Sequence, residues 1–148
     1  MTKNYIRCFI LMLLTFVACT KDEFEGPSLQ NLYGDFSISS PFIISNSAPN
    51  FTNNETVKFF CDFNKSVDWK ITIKGLQTGS IKEITGFSDI IDSNVVSWNG
   101  NTSKVPFFGE EICALELSFL TEPDTSRDTL IITGNKIYDG IIVADFEN

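Results

Sequence analysis

Val67-Asp68-Trp69-Lys70-Ile71-Thr72-Ile73 puts an apolar residue at every odd position and a charged or hydroxyl residue at every even one. Period two is the spacing of a strand with one buried face, because successive side chains leave a strand on opposite sides. Upstream, Val57, Phe59, Cys61 and Phe63 alternate with Lys58, Phe60 and Asp62; downstream, Cys113, Leu115, Leu117 and Phe119 alternate with Ala114, Glu116 and Ser118. The same reading predicts weaker strands near 36–44, 81–85, 95–98, 129–133 and 137–146. Turn-forming residues separate them: Ser47-Ala48-Pro49-Asn50, Asn64-Lys65-Ser66, Gly75 with Gly79, Asn99-Gly100-Asn101, Glu122-Pro123-Asp124 and Gly134-Asn135. No segment from Asp35 onward carries the i, i+3, i+4, i+7 pattern over a helical length. Short strands with one apolar face need a covering sheet, so an all-β, antiparallel β-sandwich is predicted over residues 35–134.

The N-terminal side reads differently. Lys3 and Arg7 precede Cys8-Phe9-Ile10-Leu11-Met12-Leu13-Leu14-Thr15-Phe16-Val17-Ala18, an apolar run with no polar face. As a helix it spans roughly 16 Å, about half of a ~30 Å hydrocarbon core. That length suits the hydrophobic region of a signal peptide over residues 1–18. Its exit, Phe16-Val17-Ala18-Cys19, resembles a bacterial lipoprotein lipobox, with Phe16 departing from the usual leucine; ordinary secretory cleavage is the alternative. The resemblance implies diacylglycerol on Cys19 as the mature N-terminus, and two or three acyl chains anchor stably where one does not. Thr20-Lys21-Asp22-Glu23 resembles the export signal of surface lipoproteins of the Bacteroidota, which implies an outer-membrane lipoprotein facing outward. Residues 19–34, with Gly26-Pro27 and little periodicity, read as a flexible tether reaching roughly 20–25 Å.

Composition narrows the function. The 148 residues include 11 Lys+Arg, 19 Asp+Glu and no histidine, for a formal charge of −8. Loss of residues 1–18 removes Lys3 and Arg7 and no acid, which deepens the charge to −10. A surface this acidic excludes a nucleic-acid partner and disfavours anionic lipid, so membrane attachment has to be covalent, through Cys19. Absence of histidine removes Ser-His-Asp and Cys-His catalysis and His-ligated zinc or haem. Carboxylate pairs work without histidine, but Glu110-Glu111 are adjacent on a strand and point apart, and Asp22-Glu23 lie in the tether. Asp89 and Asp92 flank an apolar Ile90-Ile91 that suits no calcium loop. The expectation is no enzyme, no cofactor and no metal.

Val67-Asp68-Trp69-Lys70-Ile71-Thr72-Ile73, the Gly75…Gly79 turn, Val96-Ser97-Trp98-Asn99-Gly100 and the Phe107-Phe108…Glu111…Cys113…Leu115…Leu117 strand follow one another in an order that resembles the immunoglobulin-like module near the N-terminus of Bacteroidota surface lipoproteins. More loosely, it is similar to the Ig-like domain of flagellar hook-capping proteins. The likeness covers a little under half of the chain and implies an immunoglobulin-like sandwich that acts as a non-catalytic spacer or binding module. Under it, Cys61 and Cys113 would form a disulfide resembling the B–F bridge of Ig domains, contributing about 4 kcal/mol, although Trp69 follows Cys61 more closely than that pattern asks. Two buried free thiols are the other reading.

Residues 135–148 admit two readings as well. They are the last strand of the sandwich, or Ala144-Asp145-Phe146-Glu147-Asn148 is the opening strand of a missing jelly-roll domain of the kind that follows such modules. Among the aromatics, Trp69 shares its face with Val67, Ile71 and Ile73 and belongs to the core. Trp98 beside an Asn-Gly turn and Phe107-Phe108 after Pro106 are the ligand-contact candidates, since adjacent residues cannot both face inward. The expected partner is a glycan or a surface protein; the alternative is a structural subunit of a surface assembly, joined by strand-edge pairing. Asn50, Asn54, Asn64 and Asn101 begin N-glycosylation patterns, and Asp128-Thr129-Leu130 matches a short O-glycosylation pattern of the Bacteroidota.

Overall fold

The structure is a computed structural model that describes residues 34–138. The signal peptide, Cys19, nearly all of the tether and residues 139–148 lie outside the described residues. Six strands follow in order: β1 (Ile38–Ile44), β2 (Val57–Gly75), β3 (Ile81–Ile91), β4 (Ser97–Trp98), β5 (Ile112–Phe119) and β6 (Thr125–Ile131), with one 3₁₀ turn at Phe51–Asn53. All their pairings are antiparallel, as the sequence predicts, and they join into one six-stranded sheet.

β2 is the spine. β3 runs beside it at Cys61–Asp62 and again at Val67–Lys74. β1, which pairs with residues 59–63, and β5, which pairs with residues 69–75, therefore share the opposite edge, one after the other. Two predicted strands have merged here. Between the pairs Asp62–Ile90 and Val67–Ser88, β2 advances five residues while β3 advances two, so Asn64-Lys65-Ser66 is a bulged corner inside a continuous strand and not a turn. Its polar residues serve that corner. Asn64 Oδ1 accepts from Ser37 N–H at 2.9 Å, Asn64 Nδ2 donates to Asp35 O at 2.8 Å, and Lys65 pairs with Glu122 at 2.8 Å. Asn64 thus fixes the incoming chain just before β1.

The strand must fold back at this corner. Drawn straight, Val57 and Gly75 would stand roughly 60 Å apart at about 3.3 Å per residue. Val57 instead pairs with Trp98, whose ring lies 5.0 Å from that of Phe108, and Gly75 packs on Glu111, three residues further along. The sheet also meets itself: Ile131 N–H donates to Ser47 O, Thr133 N–H to Pro49 O and Phe51 N–H to Gly134 O, all within 2.9 Å. One sheet curls round one core. The sequence pattern predicts a second, covering sheet; instead the apolar face of β2 is covered by the sheet's own far strands once the chain bends at the corner.

Alternation decides what fills that core. Val57, Phe59, Cys61, Phe63, Val67, Trp69, Ile71 and Ile73 of β2 and Cys113, Leu115, Leu117 and Phe119 of β5 are all buried, while their even-numbered neighbours face outward or are half-buried. Each large aliphatic or aromatic side chain fully buried in this way stabilises the fold by roughly 1.5–3 kcal/mol. Aromatic clusters mark the two ends: Phe36, Phe63 and Phe119 at the corner, and Phe51, Trp98 and Phe108 at the far end. Gly86 is required by the first of the core tryptophans. It is the Cα partner of Trp69, and a Cβ there would collide with the indole, whose Nε1 donates to Ser88 Oγ at 2.9 Å.

Candidate functional site

Pro106-Phe107-Phe108, expected to open the Cys113–Leu117 strand, lies outside any strand ahead of β5, and its two rings part company. Phe108 turns inward and is buried against Trp98, whereas Phe107 is 52% exposed. Trp98 is 1% exposed, and its Nε1 donates to Asn101 O at 2.7 Å, closing the Asn-Gly turn from within. Trp98 and Phe108 are therefore corrected from ligand-contact candidates to core residues, because neither has a free ring face. Phe107 alone keeps that role.

Its neighbour was not foreseen. Tyr138, which the sequence pattern assigns to a last strand, is outside any strand and packs its ring 4.4 Å from that of Phe107. The segment is pinned to the Asn99-Gly100-Asn101 turn: Tyr138 Oη donates to Gly100 O at 3.3 Å and Lys136 Nζ to Asn99 O at 3.4 Å. Val105 and Ile137 are also exposed beside these rings in sequence, which leaves an aromatic and aliphatic patch at the far end from the corner.

Glu110 and Glu111 do not form a carboxylate pair. Glu110 is exposed, and Glu111 is buried as a clamp between two loops. Its oxygens accept from Gln77 N–H at 2.7 Å, Thr78 N–H at 3.0 Å, Thr78 Oγ1 at 2.6 Å and Gly109 N–H at 3.1 Å. Burial alone raises its carboxyl, but the hydrogen bonds from Thr78, Gln77 and Gly109 outweigh this and hold it below the ordinary carboxylate value. A carboxylate with four donors on it is structural and has no proton to exchange at neutral pH. Among the described residues no group of three or more metal-ligating side chains is placed to hold an ion, and no helix is long and apolar enough to cross a membrane.

Cys61 and Cys113 are free thiols, which corrects the bridge that the Ig resemblance implied. Cys61 is in register with Ile91 before the corner of β2, whereas Cys113 lies opposite Gly75 beyond it. Cys61 Sγ donates to Ser40 O at 3.2 Å instead. Burial, with Asp62 adding to it, pushes the Cys61 thiol up to about 11, and burial with Glu111 pushes Cys113 up to about 12. Since the thiolate is the nucleophile, neither reacts in the folded protein. A thiol-specific reagent at pH 8 is expected to leave both untouched in the native chain and to label both, without prior reduction, after denaturation.

A concave feature lies on the outward face of β2, near the corner. A cleft of about 540 Å³ is lined by Asp68, Lys70, Thr85, Phe87, Ser118 and Leu120 over a floor that includes Trp69, Gly86 and Phe119. Sequence alternation correctly turns Asp68 and Lys70 outward but gives no sign that Phe87 and Leu120 flank them, because those neighbours come from β3 and from the end of β5. Comparisons of the chain with family models, with curated proteins and with solved structures find no match.

Proposed function

We propose that this chain is an outer-membrane lipoprotein, held by acylated Cys19 with its domain outside the cell, and that it serves as a non-catalytic binding or spacer module for a glycan or a surface protein. The observation that carries the reading is the apolar run that ends at Phe16-Val17-Ala18-Cys19 behind a basic start. An acidic chain of formal charge −8 has no electrostatic route to an anionic membrane. The fold agrees with the use. The chain runs into the domain at the corner end, clamped by Asn64, while Phe107 and Tyr138 present their rings at the opposite end. A spacer or binding module that the chain enters at one end, with exposed rings at the other, is what this reading asks for.

Mass spectrometry of the protein purified from its native membrane tests the anchor. The N-terminal peptide is expected to begin at Cys19 and carry acyl mass, and Cys19→Ala is expected to leave the membrane fraction. A mature peptide that begins elsewhere, or begins at Cys19 without lipid, overturns the reading.

A further inference from the structure

The outward face of the sheet near the corner carries a row of three side chains whose placement follows from register. Asp68 and Phe87 are Cα partners, and Leu120 N–H donates to Asp68 O at 3.1 Å, so Phe87, Asp68 and Leu120 lie side by side across three strands. In the next row Lys70 is the Cα partner of both Thr85 and Ser118. The carboxylate thus stands between a phenyl ring that is 68% exposed and a leucine that is 81% exposed, with a lysine and two hydroxyls below. Among the described residues the Asp68 carboxylate makes no ion pair, and Lys70 reaches only Glu83, at 3.5 Å with both ends half exposed.

From this geometry we infer that the cleft binds a neutral sugar ring, Phe87 stacking on its C–H face while the Asp68 carboxylate accepts from neighbouring hydroxyls; the inference rests on the binding-module reading above. The volume, about 540 Å³, falls within the range of small-molecule sites, roughly 300–1,000 Å³. Chemistry selects among occupants of that size. A carboxylate only accepts hydrogen bonds, whereas Thr85 and Ser118 hydroxyls and the Lys70 ammonium supply donors, so the ligand needs hydroxyls that do both. A lipid tail would strip water from Asp68 and Lys70 without giving either a partner. A flat aromatic ligand would suit Phe87 and leave Asp68 unanswered. Acidic glycans meet the repulsion of a chain with formal charge −8. A neutral sugar satisfies the acceptor, the donors and the apolar walls together.

The test uses the full chain, purified in detergent, on immobilised neutral oligosaccharides built from glucose, xylose, mannose and N-acetylglucosamine, with sulfated and uronic-acid polymers alongside. Binding to at least one neutral series is expected, weakened roughly tenfold or more by Phe87→Ala and by Asp68→Asn. Both positions are exposed, so thermal midpoints should stay within a few degrees of the parent, and Val95→Ser, at an exposed turn elsewhere, should bind as the parent does. Neutral-glycan binding that survives Phe87→Ala and Asp68→Asn overturns the cleft and leaves the glycan reading standing; if Phe107→Ala abolishes it, the site is the far-end patch. Preference for the acidic polymers overturns the neutral-sugar assignment. No binding to any member overturns the cleft and the glycan reading together.

Discussion

Glu111→Ala is expected to cost about 3–5 kcal/mol of stability, a large share of what a domain of this size has. The magnitude follows from what remains when the carboxylate goes. Glu111 is 3% exposed and accepts four hydrogen bonds, three from backbone N–H groups of Gln77, Thr78 and Gly109 and one from Thr78 Oγ1. Removing an acceptor that satisfies several buried donors costs about 1–3 kcal/mol for each one stranded, less whatever water recovers. The loop after β2 and the approach to β5 would lose the group that ties them together. Glu111→Gln keeps the shape and one acceptor oxygen but turns an NH₂ toward the donors, so a smaller loss of about 2 kcal/mol is expected. The pH dependence separates charge from shape. Because the folded carboxyl sits below its ordinary value of 4.5, its ionised form stabilises the native state above that value. That contribution fades as pH falls through the lower folded value. Urea midpoints measured from pH 7 to pH 3 should therefore fall more steeply for the parent than for Glu111→Gln. Parallel curves would mean that the carboxylate's charge does not contribute.

Why such a residue escapes the sequence is a matter of range. Alternation is a local signal, and where it is strong, as in Val67-Asp68-Trp69-Lys70-Ile71-Thr72-Ile73, it assigns the strand, the buried face and the core role of Trp69 together. Glu111 also sits within an alternating run, but three of its four donors lie 33 and 34 residues away in the Gln77-Thr78 loop, and no short window sees them. Asn64-Lys65-Ser66 shows the opposite failure. Its composition favours a turn, yet the chain stays extended because β3 continues alongside and Asn64 finds partners in Asp35 and Ser37. Tertiary partners override local preference there. β3 also reaches Ile91, beyond the predicted 85, because its later residues pair with β2 on both sides of the corner. At Phe107-Phe108 the sequence puts at least one ring outward without saying which; Trp98 decides, by holding Phe108. The Phe87–Asp68–Leu120 row stayed hidden for the same reason as Glu111, since it is assembled across strands.

Trp98→Ala is the second large effect, at about 3–5 kcal/mol, and it discriminates between the two roles that the sequence allows for this ring. Trp98 stands on β4, a strand of two residues paired with Val57 and Lys58. Its indole packs edge-on between Phe51 at 4.8 Å and Phe108 at 5.0 Å. Truncation opens a cavity at the far end of the core, and close-packed surroundings relax into such a void only in part. It also strands the Asn101 carbonyl that accepts from Nε1 at 2.7 Å. That bond closes a turn in which Gly100 takes φ +84° and abuts the Phe51 ring, so the damage should spread to the 3₁₀ turn and to the contacts that join Phe51 to Gly134. Trp98→Phe keeps most of the apolar contact and loses the N–H, for which about 1–2 kcal/mol is expected. Phe107→Ala, at a ring 52% exposed, should cost well under 1 kcal/mol, as surface truncations usually do. Denaturant midpoints of the three variants read the order directly. A surface platform would give the reverse pattern: Trp98→Ala as stable as the parent, which would refute the assignment of this tryptophan to the core.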